Sequence, residues 1–164
     1  MALQTWRFMS LMLTALLMSL AFAHLWQLPP RMGYSGAFWF QTLSMYREFG
    51  PGGPGPFVEL SALLSVLVLA FWLRGRPAFA AMGFAAFCLC VSFGLWWLWI
   101  QPVNLEMLSW NASALPPDWT AWRRRWEYTH AARAVFIAIA FAALVASVLV
   151  EISHAARRIA PRRL

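Results

Sequence analysis

Charge is scarce in this chain. Only 12% of its 164 residues are charged, where an ordinary soluble domain carries about 25%. Lysine is absent, so the 13 basic residues are all arginine; no function is read from that. With 62% hydrophobic residues, a soluble globular domain is excluded and an integral membrane protein is expected. Cysteine is nearly absent too. Cys88 and Cys90 lie two apart in an apolar run, and on a helix they point about 200° apart. They neither bridge each other nor share a metal, and read as small buried hydrophobes. The chain also lacks a Gly-rich phosphate loop, a His-Glu-x-x-His zinc motif, a paired-cysteine zinc pattern and a nucleophile elbow. The net charge of +7 could suggest nucleic acid. Here, however, the arginines cluster beside long apolar runs, the pattern of membrane topology, and no nucleic-acid partner is expected.

What the chain has is apolar length. The fold expected is all-α, a single domain over residues 1–164 forming an integral membrane four-helix bundle, with spans near 8–28, 57–73, 78–100 and 131–151. The first run, Phe8 to Ala23, ends in Ala21-Phe22-Ala23 and resembles a signal peptide. It continues through Leu25, Trp26 and Leu28, so a retained anchor is preferred, with Pro29-Pro30 expected to stop the helix. Residues 31–56 read as a loop holding a short amphipathic helix over Ala37 to Phe49, then a Gly/Pro connector. In the second span the charge-free part, Leu60 to Leu73, covers only about 21 Å, so Glu59 must lie at or just inside the membrane boundary. Arg74-Gly75-Arg76-Pro77 is a tight basic turn. The third span closes on Trp96, Trp97 and Trp99, an interfacial belt, before a loop opening at Pro102.

The fourth span has an extended amphipathic N-terminal part. Pro116-Pro117-Asp118 reads as its start, and Trp119 to Arg133 runs straight into the apolar stretch Ala134 to Val150. Trp122, Trp126, His130 and Arg133 are spaced by 4, 4 and 3 residues and so share one helix face. Arg123, Arg124 and Arg125 read as a solvated face, and His154 as part of the basic tail. The short 74–77 turn and the arginine tail outweigh the arginines of the longer loops, so both termini are placed in the cytoplasm.

His24 closes the first span, Glu59 opens the second, Asn104 follows the third, and His130 and Arg133 open the fourth. In an up-down-up-down bundle all of these gather at one mouth. Ionisable groups at membrane depth are functional candidates by default. Each has a plainer reading: Arg133 snorkelling to headgroups, Glu59 as its structural ion pair, His24 as an interfacial residue, Trp122 and Trp126 as interface anchors, and His130 as a structural histidine. His24 and His130 on different spans could also hold a haem or a copper; the cofactor stays unknown.

Asn104 after Pro102-Val103, a loop with Pro116 and Asp118, then Trp122, Trp126, His130 and Arg133 leading into a last span resemble a family of small four-span membrane proteins of unknown function that includes the fungal anthrone oxygenases. The resemblance covers about the last 60 residues; the first 100 match only in span count and loop placement. It implies a four-helix transmembrane bundle, Asn104, Trp122, His130 and Arg133 as the family residues, and, in characterised members, oxidation of a polycyclic phenol to a quinone by O₂ without an established cofactor. Most members are bacterial, which implies the inner (plasma) membrane.

The function expected is therefore a membrane-embedded oxygenase or redox enzyme acting on a lipophilic phenol- or quinone-type aromatic. His130 would act as the base, Arg133 and Asn104 as oxyanion partners, with Glu59 beside them, and Trp122, Trp126 and His24 as substrate walls. The alternative is a non-catalytic membrane subunit that stabilises a larger complex or binds lipid or quinone. Partners expected are membrane lipid and a lipophilic small molecule, with a homo-oligomer or membrane complex left open. A transporter ranks last, because no span carries paired Gly/Pro breaks.

Overall fold

The apolar runs become four long rods. In the computed structural model, which describes residues 1–45 and 53–159, these are α1 (Ala2–Met32), α3 (Pro54–Trp72), a compound third rod beginning with α4 (Phe79–Leu95), and α6 (Trp119–Ile159). All four are long and apolar enough to cross a membrane, and no strand occurs among the described residues. A short helix, α2 (Gly36–Ser44), lies between α1 and α3. The expected amphipathic helix is thus present over its first half; Tyr46 to Phe49, part of the Gly/Pro connector, and Arg162 and Arg163 lie outside the described residues.

The rods form a ring in which α1 contacts α3 and α6, and α4 contacts the same two. Neighbours run antiparallel: Trp6 at the start of α1 donates its indole N–H to the Ser65 carbonyl in the second half of α3 at 2.9 Å, and Arg7 pairs with Glu151 near the end of α6. Small residues line the contacts. Ala62, Ala78, Ala85, Ala134, Ala140, Ser10, Thr14 and Ser147 have no exposed surface, which lets the backbones approach as helices in lipid require. Thr14, Ser65 and Ser147 return their hydroxyls to carbonyls of their own helices at 2.7–2.8 Å, whereas the buried Ser10 hydroxyl has no hydrogen-bond partner among the described residues. Meanwhile Phe8, Phe71, Phe84, Phe87 and Leu149 face outward. An apolar exterior around a polar-dotted interior is the reverse of a soluble bundle and fits lipid as solvent. Cys88 is buried, Cys90 is exposed, and both are free.

Helix α3 begins at Pro54, inside the expected Gly/Pro connector, because proline is tolerated in a first helical turn. Two further boundaries differ from the sequence reading, and each of these differences serves the site. Helix α1 does not stop before Pro29-Pro30; it carries both prolines to Met32. They occupy its last turn with their rings exposed, and Gly33 and Tyr34 close the end by donating to the Pro30 and Arg31 carbonyls at 3.0 and 3.3 Å. The prolines cannot donate to the Leu25 and Trp26 carbonyls, a local cost confined to the helix end, and Arg31 is kept on the helix, two turns beyond His24. The third rod likewise does not end at the tryptophan belt. A π-turn, Trp96–Ile100, leads into α5 (Gln101–Glu106) and a 3₁₀ turn, Met107–Ser109. Pro102 sits in the first turn of α5, where its missing donor is harmless. The π-turn inserts an extra residue per turn and so rotates α5 about the rod axis. The start of α6 is as expected: the Asp118 carbonyl accepts from Ala121 at 2.8 Å.

At the end of the bundle away from the chain termini, a second core forms. Trp39, Phe40 and Leu43 of α2 pack on Ile100, Val103, Met107 and Trp126, with Trp110, Leu115, Trp119 and Trp122 around them. Gly36 permits this docking. A Cβ there would lie 2.6 Å from Leu115 Cδ1 and 2.9 Å from Trp119 Cε2. The leucine tip can yield, but the Trp119 ring is held between Trp39 and the Arg123 guanidinium. Gly36→Val is therefore expected to destabilise the protein by about 1–3 kcal/mol by overpacking, measured as a lower unfolding midpoint in detergent; an unchanged midpoint would mean that α2 does not seat here.

Candidate functional site: a polar-headed cavity inside the bundle

Below this cap lies a cavity of about 810 Å³. One part of its wall is apolar: Leu16, Leu17, Leu20 and Ala21 from α1, Val58 from α3 and Ile137 from α6. The other gathers His24, Gln27, Arg31, Glu59, Asn104, Trp126, His130 and Arg133. Phe40, Leu43, Met107 and Leu108 belong to its cap side. Six of the seven residues singled out in the sequence meet here; Trp122 does not. It lies a turn outside, donating to Asp118 Oδ2 at 3.0 Å and standing beneath Arg125. Its place on the stripe is right, but the cap intervenes between it and the cavity, so the expected wall of two tryptophans is corrected to Trp126 from α6 and Trp96 from the π-turn.

His24 and His130 stack with ring centroids 4.1 Å apart and planes 22° apart. Trp126 touches both, at 4.2 Å from His130 and 5.2 Å from His24. It is fixed by donating its indole N–H to Asn104 Oδ1 at 2.9 Å, so Asn104 orients the wall and is not held free for a ligand. The π-turn that rotates α5 makes this bond possible. His24 Nδ1 lies 3.5 Å from Arg31 Nη1. Arginine only donates, so Nδ1 accepts and a neutral His24 carries its proton on Nε2. Neither ring nitrogen of His130 has a hydrogen-bond partner among the described residues. Stacked rings send their in-plane lone pairs side by side, whereas two ligating imidazoles must aim at one ion about 2 Å away. This arrangement does not fit a shared haem or copper, and no group of three His, Cys, Asp or Glu side chains occurs among the described residues.

Arg133 is 7% exposed and Glu59 6%. Arg133 Nη2 donates to Glu59 Oε1 at 2.5 Å and its Nε to the Ser92 carbonyl at 3.1 Å. Snorkelling is excluded by that burial. Nη1 has no partner among the described residues, leaving one donor for a cavity ligand.

The sequence reading missed a second charged group. Arg31 bonds Gln27 and approaches Glu127 Oε1 at 3.9 Å. That oxygen accepts the indole N–H of the fully buried Trp39 at 2.8 Å. Glu127 is itself 1% exposed and thus ties the cap to the cavity's charge. Its one legible sign was an acid beside Trp126 on a helix entering the membrane; Arg31 was hidden by the proline pair. Arg123 is also corrected. It is half-buried, not solvated, and donates to the Tyr34 carbonyl at 2.8 Å, pinning the turn between α1 and α2. Arg124 and Arg125 are exposed as expected.

Fold and site together define a class: a helical membrane bundle whose internal cavity is apolar with a charged, imidazole-bearing head. Comparisons with protein-family models, curated proteins and solved structures gave no match.

Proposed function

We propose that this protein is a membrane-embedded redox enzyme that binds a lipophilic phenol- or quinone-type aromatic in this cavity and oxidises it with O₂. The observation that carries the reading is the stacked His24–His130 pair beside Arg133 at the head of an apolar chamber. An aromatic ring fits against Trp126 and the imidazoles, and a phenolic oxygen fits Arg133 Nη1. His130, with both nitrogens unengaged among the described residues, removes the phenolic proton. Arg133 stabilises the oxyanion, while Glu59 holds Arg133 in place. For the anthrone-type substrate that the sequence resemblance implies, the ring CH₂ becomes a carbonyl. Two C–H bonds break, one oxygen atom of O₂ forms C=O, the other leaves as water, and His130 returns the proton it took. Purified His130→Ala is expected to lose turnover of an anthrone by about a hundredfold, followed by quinone absorbance; full turnover would sink the reading.

A second reading is a non-catalytic subunit that binds quinone or lipid. It is favoured by the engagement of two of the three Arg133 nitrogens with Glu59 and Ser92. Saturable binding of a hydroquinone with no O₂ consumption would select it.

The location proposed is a bacterial inner membrane with both termini cytoplasmic. Among the described residues, which leave out Arg47, the cavity-end arginines Arg31, Arg123 and Arg133 are committed to internal bonds. Arg124 and Arg125 remain exposed there, against Arg74, Arg76, Arg157 and Arg158 at the other end, which supports the positive-inside orientation.

A further inference from the structure

Four large apolar residues of the cavity wall are also exposed; two of them, Leu105 and Leu108, at 57% and 63%, lie at the cap end. The other two, Leu16 and Leu20, 49% and 40% exposed, continue the α1 stripe of Met9 and Met12, which are exposed without lining the cavity. Leu16 and Leu20 sit at the middle of α1, whose 31 residues span about 47 Å, and so at the depth of acyl chains. Their neighbours Leu17 and Ala21 are buried inside. The apolar lining is therefore continuous from the imidazole head to the lipid-facing surface. The chamber, about 810 Å³, lies in the upper part of the roughly 300–1,000 Å³ range that houses a whole drug-sized ligand, more than one ring at the histidine stack needs.

We infer that the ligand is a two-part lipid: a hydroxylated aromatic head held at the histidine stack, and a single aliphatic tail that runs along Leu17 and Ala21 and leaves past Leu16 and Leu20 into the bilayer. This rests on the reading that the head group is a phenol or quinol. It narrows the substrate class to molecules that never leave the membrane, because tail and entrance are both apolar and every methylene moved into water costs about 0.8 kcal/mol.

The test is photo-crosslinking of the full chain in phosphatidylcholine nanodiscs, with a hydroquinone bearing a decyl tail and a diazirine near the middle of that tail. The label is expected on the α1 peptide containing Leu16 and Leu20. With tailless hydroquinone present at about ten times its own dissociation constant, that labelling should fall about tenfold. Label that is displaced by the competitor but lies on the cap, at Phe40 or Leu43, would overturn the tail path while the head reading stands. Labelling that the tailless competitor does not displace would overturn both.

Discussion

The Glu59→Ala protein is expected to lose about 3–5 kcal/mol of stability, the cost of leaving a buried guanidinium unpaired. Arg133 cannot escape to water, since it is 7% exposed and its Nε is tied to the Ser92 carbonyl. Glu59 is its single carboxylate partner among the described residues, at 2.5 Å. The converse is equally informative. A Glu59→Leu, Arg133→Met double variant removes both charges and restores apolar volume, and is expected to recover most of the loss, because a buried pair is often worth no more than the hydrophobic residues that replace it. Denaturant unfolding in detergent measures all three proteins. If Glu59→Ala unfolds at the wild-type midpoint, the pair does not hold α3 to α6. If the double variant is folded but binds no aromatic, the pair was retained for the ligand and not for the fold.

Trp39→Ala is expected to open the cap. Trp39 has no exposed surface, and truncating a buried tryptophan costs about 3–5 kcal/mol in lost burial and cavity. The substitution also removes the donor to Glu127 Oε1. The other carboxylate oxygen already lacks a hydrogen-bond partner among the described residues, so Glu127 would keep the Arg31 guanidinium at 3.9 Å and the more distant charge of Arg123 but no hydrogen bond among the described residues. The damage should be local, since the cap cluster is separate from the core that joins α1, α3, α4 and α6. Hydrogen exchange should accelerate over α2 by a factor of hundreds or more, at about tenfold per 1.4 kcal/mol, while the amides of α4 stay protected. Trp39→Phe keeps most of the volume and loses only the N–H, for about 1–3 kcal/mol. Equal exchange over α2 in all three proteins would mean that the Trp39–Glu127 bond does not close the cavity.

What is legible in the sequence divides from what is not by the range of the forces involved. Span count, the start of α6 at Asp118 and the alignment of Trp126, His130 and Arg133 come from hydropathy, capping chemistry and helical periodicity, all local along the chain. For Glu59 and Arg133 the sequence leaves two readings open, and the structure selects the ion pair. Arg31 reads as a loop residue because two prolines in a row ordinarily end a helix; here they fall in the last turn, and nothing local distinguishes the two cases. Trp122 reads as a cavity wall because it shares a stripe with Trp126, but a stripe does not say where a cap crosses it.

By itself, then, the sequence determined that this chain is a set of apolar helices with ionisable groups near one end, because burying that much apolar surface and satisfying each backbone bond within its own helix leaves no other solution in lipid. Only the tertiary structure decided which of those groups meet. The stacking of His24 on His130, the Asn104 brace on Trp126 and the Trp39–Glu127–Arg31 chain join residues far apart along the polymer. They depend on the rotation that a π-turn imposes, on two prolines kept inside a helix, and on a glycine small enough for α2 to lie down over the mouth.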